Sequence, residues 1–180
     1  MTLKLSLLAA ILSVGFVSGQ DSTAQFKMNT VTVKTVAGNP YFEDWSAVID
    51  NPNTVSIKTP VKKDMPDTMM LKASVEFGGS PLGELDILLC EAFKDATYGQ
   101  DLLSHGLPKG AFPTACPAKP GSNFELSKLS IENDKIPPGL PDGNVVADVT
   151  IYEPGKDPYV TIHVEGTLSH SLPGVPRLGR

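Results

Sequence analysis

The chain has 180 residues, with 20 acidic against 15 basic side chains and a formal net charge of −5. It therefore lacks both the basic footprint of a nucleic-acid binder and a polybasic membrane signal, and no nucleic-acid partner is expected. Its length and its 41% apolar share suit one globular domain with its own core.

At the N-terminus, Lys4 precedes the apolar run LSLLAAILSVGFV, which ends at the small residues Ser18 and Gly19. These are the n-region, h-region and cleavage site of a secretory signal peptide. A membrane span needs roughly 20 apolar residues, and neither this run nor any later one is that long. Residues 1–19 are expected to be removed, leaving a secreted domain over 20–168 and a disordered tail over 169–180.

The mature chain reads as short alternating runs separated by turn residues. Val31 and Val33 make the first, with Met28 or Thr35 at its ends; Trp45–Ile49 and Thr54–Lys58 follow, parted by Asn51-Pro52-Asn53. In 69–77, Leu71, Ala73, Val75 and Phe77 share one face, while Lys72, Ser74 and Glu76 take the other. Gly78–Gly83 supplies a turn into a strand in which Leu85, Ile87 and Leu89 alternate with Glu84, Asp86 and Leu88, predicting a hairpin.

After Cys90 only the stretch CEAFKDATYGQDLLSH leaves room for a helix, of two or three turns at most, with Phe93, Tyr98, Leu102 and Leu103 as its apolar side. Gly106, Pro108, Gly110, Pro113, Pro117 and Pro120 forbid a long regular element beyond it. Strand pattern resumes over Phe124–Ile131, stops at the rigid IPPGLPDG loop, and returns twice. Val145, Ala147, Val149 and Ile151 form one inward phase, and Val160, Ile162, Val164 and Leu168 the other. Evenly spaced short strands predict an all-β fold, an antiparallel two-sheet sandwich or open barrel.

In an oxidising compartment the two cysteines most simply pair with each other. Closing the 26-position interval between Cys90 and Cys116 stabilises a fold by about 3 to 4 kcal/mol in the chain-entropy picture. A closed zinc site would need more ligands, and Cys-Pro is not a redox CxxC motif.

Catalytic motifs are absent: there is no GxSxG elbow, HExxH, phosphate loop or EF-hand spacing. His105, His163 and His170 are scattered, as befits solvated side chains, and no metal or cofactor is expected. Glu84 and Asp86 share the polar face of one strand, where carboxylates are ordinarily solvated. Seven Phe, four Tyr and one Trp are few fillers for a two-sheet interior of aliphatic residues. Such a sandwich either closes completely or splays and keeps an apolar pocket. The inward strand phases place Val75, Phe77, Leu85, Ile87, Leu89, Phe124, Val149, Ile151, Ile162 and Val164 around that pocket.

Three segments carry a family resemblance: SPLGELDILL, HGLPKGAFPTACPAKPGSNFELS and KIPPGLPDGN. In their order, the stretch from Ser80 to Leu168 resembles the ganglioside activator (sphingolipid activator) proteins of the ML lipid-recognition family and related insect secreted proteins of the chemosensory type. The resemblance implies a β-cup whose cavity holds acyl chains. It also implies a non-catalytic protein that extracts, carries or presents a lipid or glycolipid, with transient membrane-surface contact, a glycoside hydrolase as partner, and a secreted or lysosomal location. The alternative is an extracellular carrier of small hydrophobic chemosensory signals. Ganglioside activators have several disulfides where this chain has Cys90 and Cys116 alone, and an aromatic residue in the loop matching Pro137–Leu140, where this chain has Gly139. The apolar membrane rim is therefore expected at Leu102, Leu103, Leu107 and Phe112. No Asn-x-Ser/Thr sequon occurs, which disfavours a lysosomal route that reads N-glycans.

Overall fold

The computed structural model describes residues 23–96, 99–131 and 136–171. The expected signal peptide, Tyr98 and residues 172–180 of the expected tail lie outside them.

Two antiparallel sheets face each other. The first has five strands in the order β1-β9-β8-β4-β5: β1 (Ala24–Thr35), β4 (Met70–Phe77), β5 (Ser80–Leu88), β8 (Gly143–Tyr152) and β9 (Val160–His170). The second has four, in the order β2-β3-β7-β6: β2 (Ser46–Asn51), β3 (Thr54–Lys58), β6 (Gly106–Leu107) and β7 (Glu125–Ser130). The strand pattern of the sequence is thus realised as a sandwich, with the expected β4–β5 hairpin in place. Gly78 and Gly79, both at positive φ, make its turn alone, and β5 begins at Ser80, inside the stretch expected to turn.

Four features differ from the sequence pattern for local reasons. In β1, Met28 and Val31 have opposite parity yet share the inward face, because the register slips between Met28 and Thr30. Leu89 does not continue β5 but opens helix α1 (Leu89–Lys94), so its side chain enters the core from a helix. The expected single helix is two, α1 and α2 (Gly99–Ser104), each of six residues. At the other end of the chain, β9 runs through Ser169 and His170, past the boundary expected at 168. Its end is held where the His170 N–H donates to Asp142 Oδ1 at 2.9 Å.

The sheets meet along the β1 and β2 edges, where the Met28 N–H donates to the Pro52 carbonyl and the Trp45 N–H to Thr35 Oγ1. On the opposite side the Cys90–Cys116 disulfide, with 5.6 Å between Cα atoms, joins α1 to the β6–β7 connection. The pairing expected from composition is the one formed.

The core is uneven. Its largest fully buried side chains, Phe42, Met69 and Val160, gather at the end where β1 stops and β9 begins. Asn39 aims Phe42 there, its Oδ1 accepting the N–H groups of Tyr41 and Phe42 at 3.1 and 2.7 Å. Phe42 meets Trp45 edge-on with ring centroids 5.4 Å apart, and Tyr41 meets Tyr159 at 5.5 Å. This aromatic group closes one end of the sandwich.

Candidate functional site

On the five-stranded sheet the inward side chains fall into transverse rows fixed by the register. Nearest the closed end are Thr35, Val160, Ile151, Leu71 and Ile87; next come Val33, Ile162, Val149, Ala73 and Leu85. Beyond them lie Val31, Val164, Ala147, Val75 and Gly83, then Met28, Gly166, Val145 and Phe77. β-Branched residues dominate because they suit a pleated surface with one packed face. The facing sheet presents Ala47, Ile49, Val55, Ile57, Leu126 and Leu129.

Burial along these rows is graded. Ile151 and Ile162 pack in the main core with Leu89 and Phe124, whereas Ala73 and Leu85 form a second, smaller cluster. Leu71 and Val149 touch both clusters. Val75, Phe77, Ile87, Val149 and Val164 are only half-buried although they point inward, as are Ala47, Ile49 and Leu129 opposite. Apolar side chains between the two sheets are thus reachable by water.

The residues expected from the sequence to line a pocket fall between the sheets in two classes. Leu85, Leu89, Phe124, Ile151 and Ile162 are packed core. Val75, Phe77, Ile87, Val149 and Val164 face the accessible part. Val31, Ala147 and Val145 lie in the same rows, and Ala47, Ile49 and Leu129 in the facing sheet, although none was among the residues expected to line a pocket. Their alternation was visible; what it did not contain was which rows the second sheet covers.

The expected rim divides as well. Leu102 on α2 is 39% exposed, and Leu103 and Leu107 are half-buried at the surface beside the disulfide-linked segment. Phe112 turns inward instead, its ring 5.5 Å from that of Phe124 and laid over Gly106 so closely that a Cβ there would come within 2.3 Å of it.

The charged groups stand on the outer face. Glu84 pairs with Lys72 at 3.0 Å, and the Tyr152 hydroxyl lies 2.7 Å from both oxygens of Asp86, so these two carboxylates of one strand face are engaged separately. The Asp86 carboxylate pushes the Tyr152 hydroxyl up in pKa. His163 also faces outward, between Asp148 and Glu165. By the closed end Glu153 accepts from the Tyr159 hydroxyl at 2.6 Å and from Lys156 at 3.0 Å, which together hold its carboxyl below the usual range. Among the described residues no three His, Cys, Asp or Glu side chains are grouped to hold a metal, and no buried side-chain N or O lacks a partner. The inner face offers area rather than proton transfer: it can take up apolar material by removing it from water. No described helix is long and apolar enough to cross a membrane.

No family model matches the sequence, and no curated protein matches it. Among solved structures the chain is similar to chicken MD-1 complexed with lipid IVa, at 12% identity and a TM-score of 0.37, covering 82% of this chain and 99% of that one. It is also similar to a Niemann-Pick type C2 protein from Japanese carpenter ant, at 11% identity and a TM-score of 0.32, covering 83% of this chain and 97% of that one.

Proposed function

We propose that this protein binds a lipid or glycolipid between its sheets and carries or presents it without converting it. The observation that carries the reading is the half-buried, uncharged inward face of the central strands, from Val145 to Val149 on β8 and at Val164 on β9. A close-packed sandwich would bury these positions, which sit in mid-sheet; leaving them accessible forgoes dispersion contacts along the lining. A bound acyl chain restores those contacts and stabilises the complex by about 25 cal/mol for each Å² of apolar surface withdrawn from water. The resemblance of residues 80–168 to ganglioside activators points the same way, and so does the apolar N-terminal run, which suits secretion or lysosomal delivery. Leu102, Leu103 and Leu107 supply an apolar rim for brief contact with a membrane surface, from which a glycoside hydrolase would receive the presented lipid.

Native mass spectrometry of the secreted protein, followed by lipid extraction, tests the reading directly: a copurified lipid is expected, and its chemistry separates a glycolipid from a small hydrophobic signal. Ile87→Trp gives a second test. If Ile87 borders open space, the indole is accommodated with little loss of stability while uptake of a fluorescent fatty acid falls. A close-packed interior would instead lose about 1 to 3 kcal/mol to overpacking. That loss, together with a parent protein that takes up no lipid, would remove the proposal. Presentation is tested by adding the protein to a glycosidase acting on a membrane-embedded glycolipid; an unchanged rate argues against the hydrolase partnership.

A further inference from the structure

β5 is an edge of the five-stranded sheet: β4 pairs with one side of it, and among the described residues no strand pairs with the other. Two hydrogen bonds decide which of its backbone groups face that open side. The Leu89 N–H donates to the Met69 carbonyl at 2.8 Å, and the Gly78 N–H to the Asn144 carbonyl at 2.9 Å. Bonded pairs alternate along an antiparallel ladder. Leu71, Ala73 and Val75 therefore bond to β5, through Ile87, Leu85 and Gly83, while Met70, Lys72, Ser74 and Glu76 bond to β8. The N–H and C=O groups of Glu84 and Asp86, and the N–H of Leu88, are left pointing away from the sheet.

Native sheet edges are blunted against chance pairing, and the first part of β5 is: Pro81 has no N–H to offer, and the register slips between Val75 and Glu76. Residues 83–88 keep one register against β4, and only charge guards them. The outer faces of β8, β4 and β5 carry Asp148, Glu76, Glu84 and Asp86 against one basic residue, Lys72, which already pairs with Glu84. Two copies of β5 overlapping about a two-fold axis would set acid against acid, Glu84 opposite Asp86. A strand with Lys or Arg at alternate positions meets no such repulsion. Its residues opposite Glu84 and Asp86 project on the same outer face, where opposite charges pair. Those between them project inward, beside the buried Leu85 and half-buried Ile87, where apolar side chains are favoured.

We propose that the open edge of β5 is a docking site for an extended segment of a partner protein, with basic side chains at alternate positions and apolar ones between. The segment adds a sixth strand to the five of this sheet. Main-chain hydrogen bonds hold it, and the acidic outer face selects it. This surface goes beyond the lipid-binding reading and does not depend on it.

The probe is the acetylated, amidated peptide TKVKVKT, dye-labelled and followed by fluorescence anisotropy. Saturable binding to the parent is expected, against none for TEVEVET. Combining Glu84→Gln with Asp86→Asn should weaken binding about fivefold or more. Pairing as a strand has its own signature. The lysines would stand opposite Glu84 and Asp86, so their N–H groups face β5 and those of the valines face away. Methylating the lysine backbone nitrogens should cost about tenfold or more in affinity, and methylating those of the valines less than about threefold. Both methylated peptides are measured on the parent, so the result does not depend on the folding of a variant. Absence of TKVKVKT binding, equal binding of TEVEVET, or equal losses from the two methylated peptides would overturn the docking site. So would a parent dimer that Leu88→Pro returns to monomer in sedimentation, because it would place a second copy on this edge. The φ of −60° at Leu88 suits proline, whose ring would block the outward approach.

Discussion

Asp148 on β8 and His163 on β9 stand directly opposite each other on the outer face, with Asp148 Oδ1 2.8 Å from His163 Nδ1. The other ring nitrogen lies 3.4 Å from Glu165 Oε1, and Glu165 Oε2 accepts the Thr30 hydroxyl at 3.0 Å. The group therefore links three adjacent strands, β8, β9 and β1. It lies directly behind the row that includes Ala147 and Val164.

A neutral imidazole has one N–H and can satisfy one of the two carboxylates; the imidazolium satisfies both. The hydrogen bond to Asp148, followed by that to Glu165, accordingly raises the pKa of His163 above its ordinary 6.5. Thr30 and then His163 lower that of Glu165 below 4.5. The histidine contribution to stability is complete below pH 6.5 and is lost as pH rises through the raised value. The glutamate contribution is complete above pH 4.5 and is lost as pH falls through the lowered value. Both are in force between those limits. Thermal melts should place the parent's advantage over His163→Gln at its largest in that window and shrink it towards alkaline pH; an advantage independent of pH would sink this account.

The disulfide closes the loop between α1 and the β6–β7 connection. Replacing both Cys90 and Cys116 with Ala should lower stability in chemical denaturation by about 3 kcal/mol, while Cys116→Ser alone should also leave one titratable thiol at Cys90. Two free thiols in freshly purified, unreduced parent protein would contradict the pairing.

Gly166 on β9 lies under the Phe26 ring, where a Cβ would come within 2.3 Å of the ring and 2.7 Å of the Lys27 carbonyl oxygen. The backbone oxygen cannot swing away as a flexible side chain could. Gly166→Ala should therefore cost about 1 to 3 kcal/mol by denaturant titration, despite adding only a methyl group. A neutral result would mean that β1 and β9 can separate without penalty.

Lys128 has φ of 56°, in the left-handed region, where the pairing of β7 with β3 slips register, and its N–H donates to Ser56 Oγ at 3.0 Å. A β-branched residue tolerates that conformation least and glycine best. Lys128→Val is expected to lose about 1 to 2 kcal/mol, and Lys128→Gly to stay within about 1 kcal/mol of the parent. Urea titration of the two variants checks the order, and a Val variant as stable as the Gly one would refute it.

The sequence by itself determined the strands, the hairpin and the disulfide, because each depends on information local in the chain. Alternation marks the faces of β4, β8 and β9; glycine and proline mark the turns; and two cysteines alone have one simple pairing with each other. Leu89, Phe112 and Met28 escaped that reading for reasons that lie elsewhere in the fold. Leu89 starts a helix where β5 ends, Phe112 is drawn onto Phe124 across the chain, and a slip in register against β9 turns Met28 to the same side as Val31. Only the tertiary structure decided which inward residues are core and which are accessible. Ile162 and Val164 share one strand, one face and nearly one chemistry, so nothing in their sequence separates them. One is buried and the other half-buried because burial depends on what the opposite sheet places above each row, and the two sheets cover the closed end more fully than the row that holds Ala147.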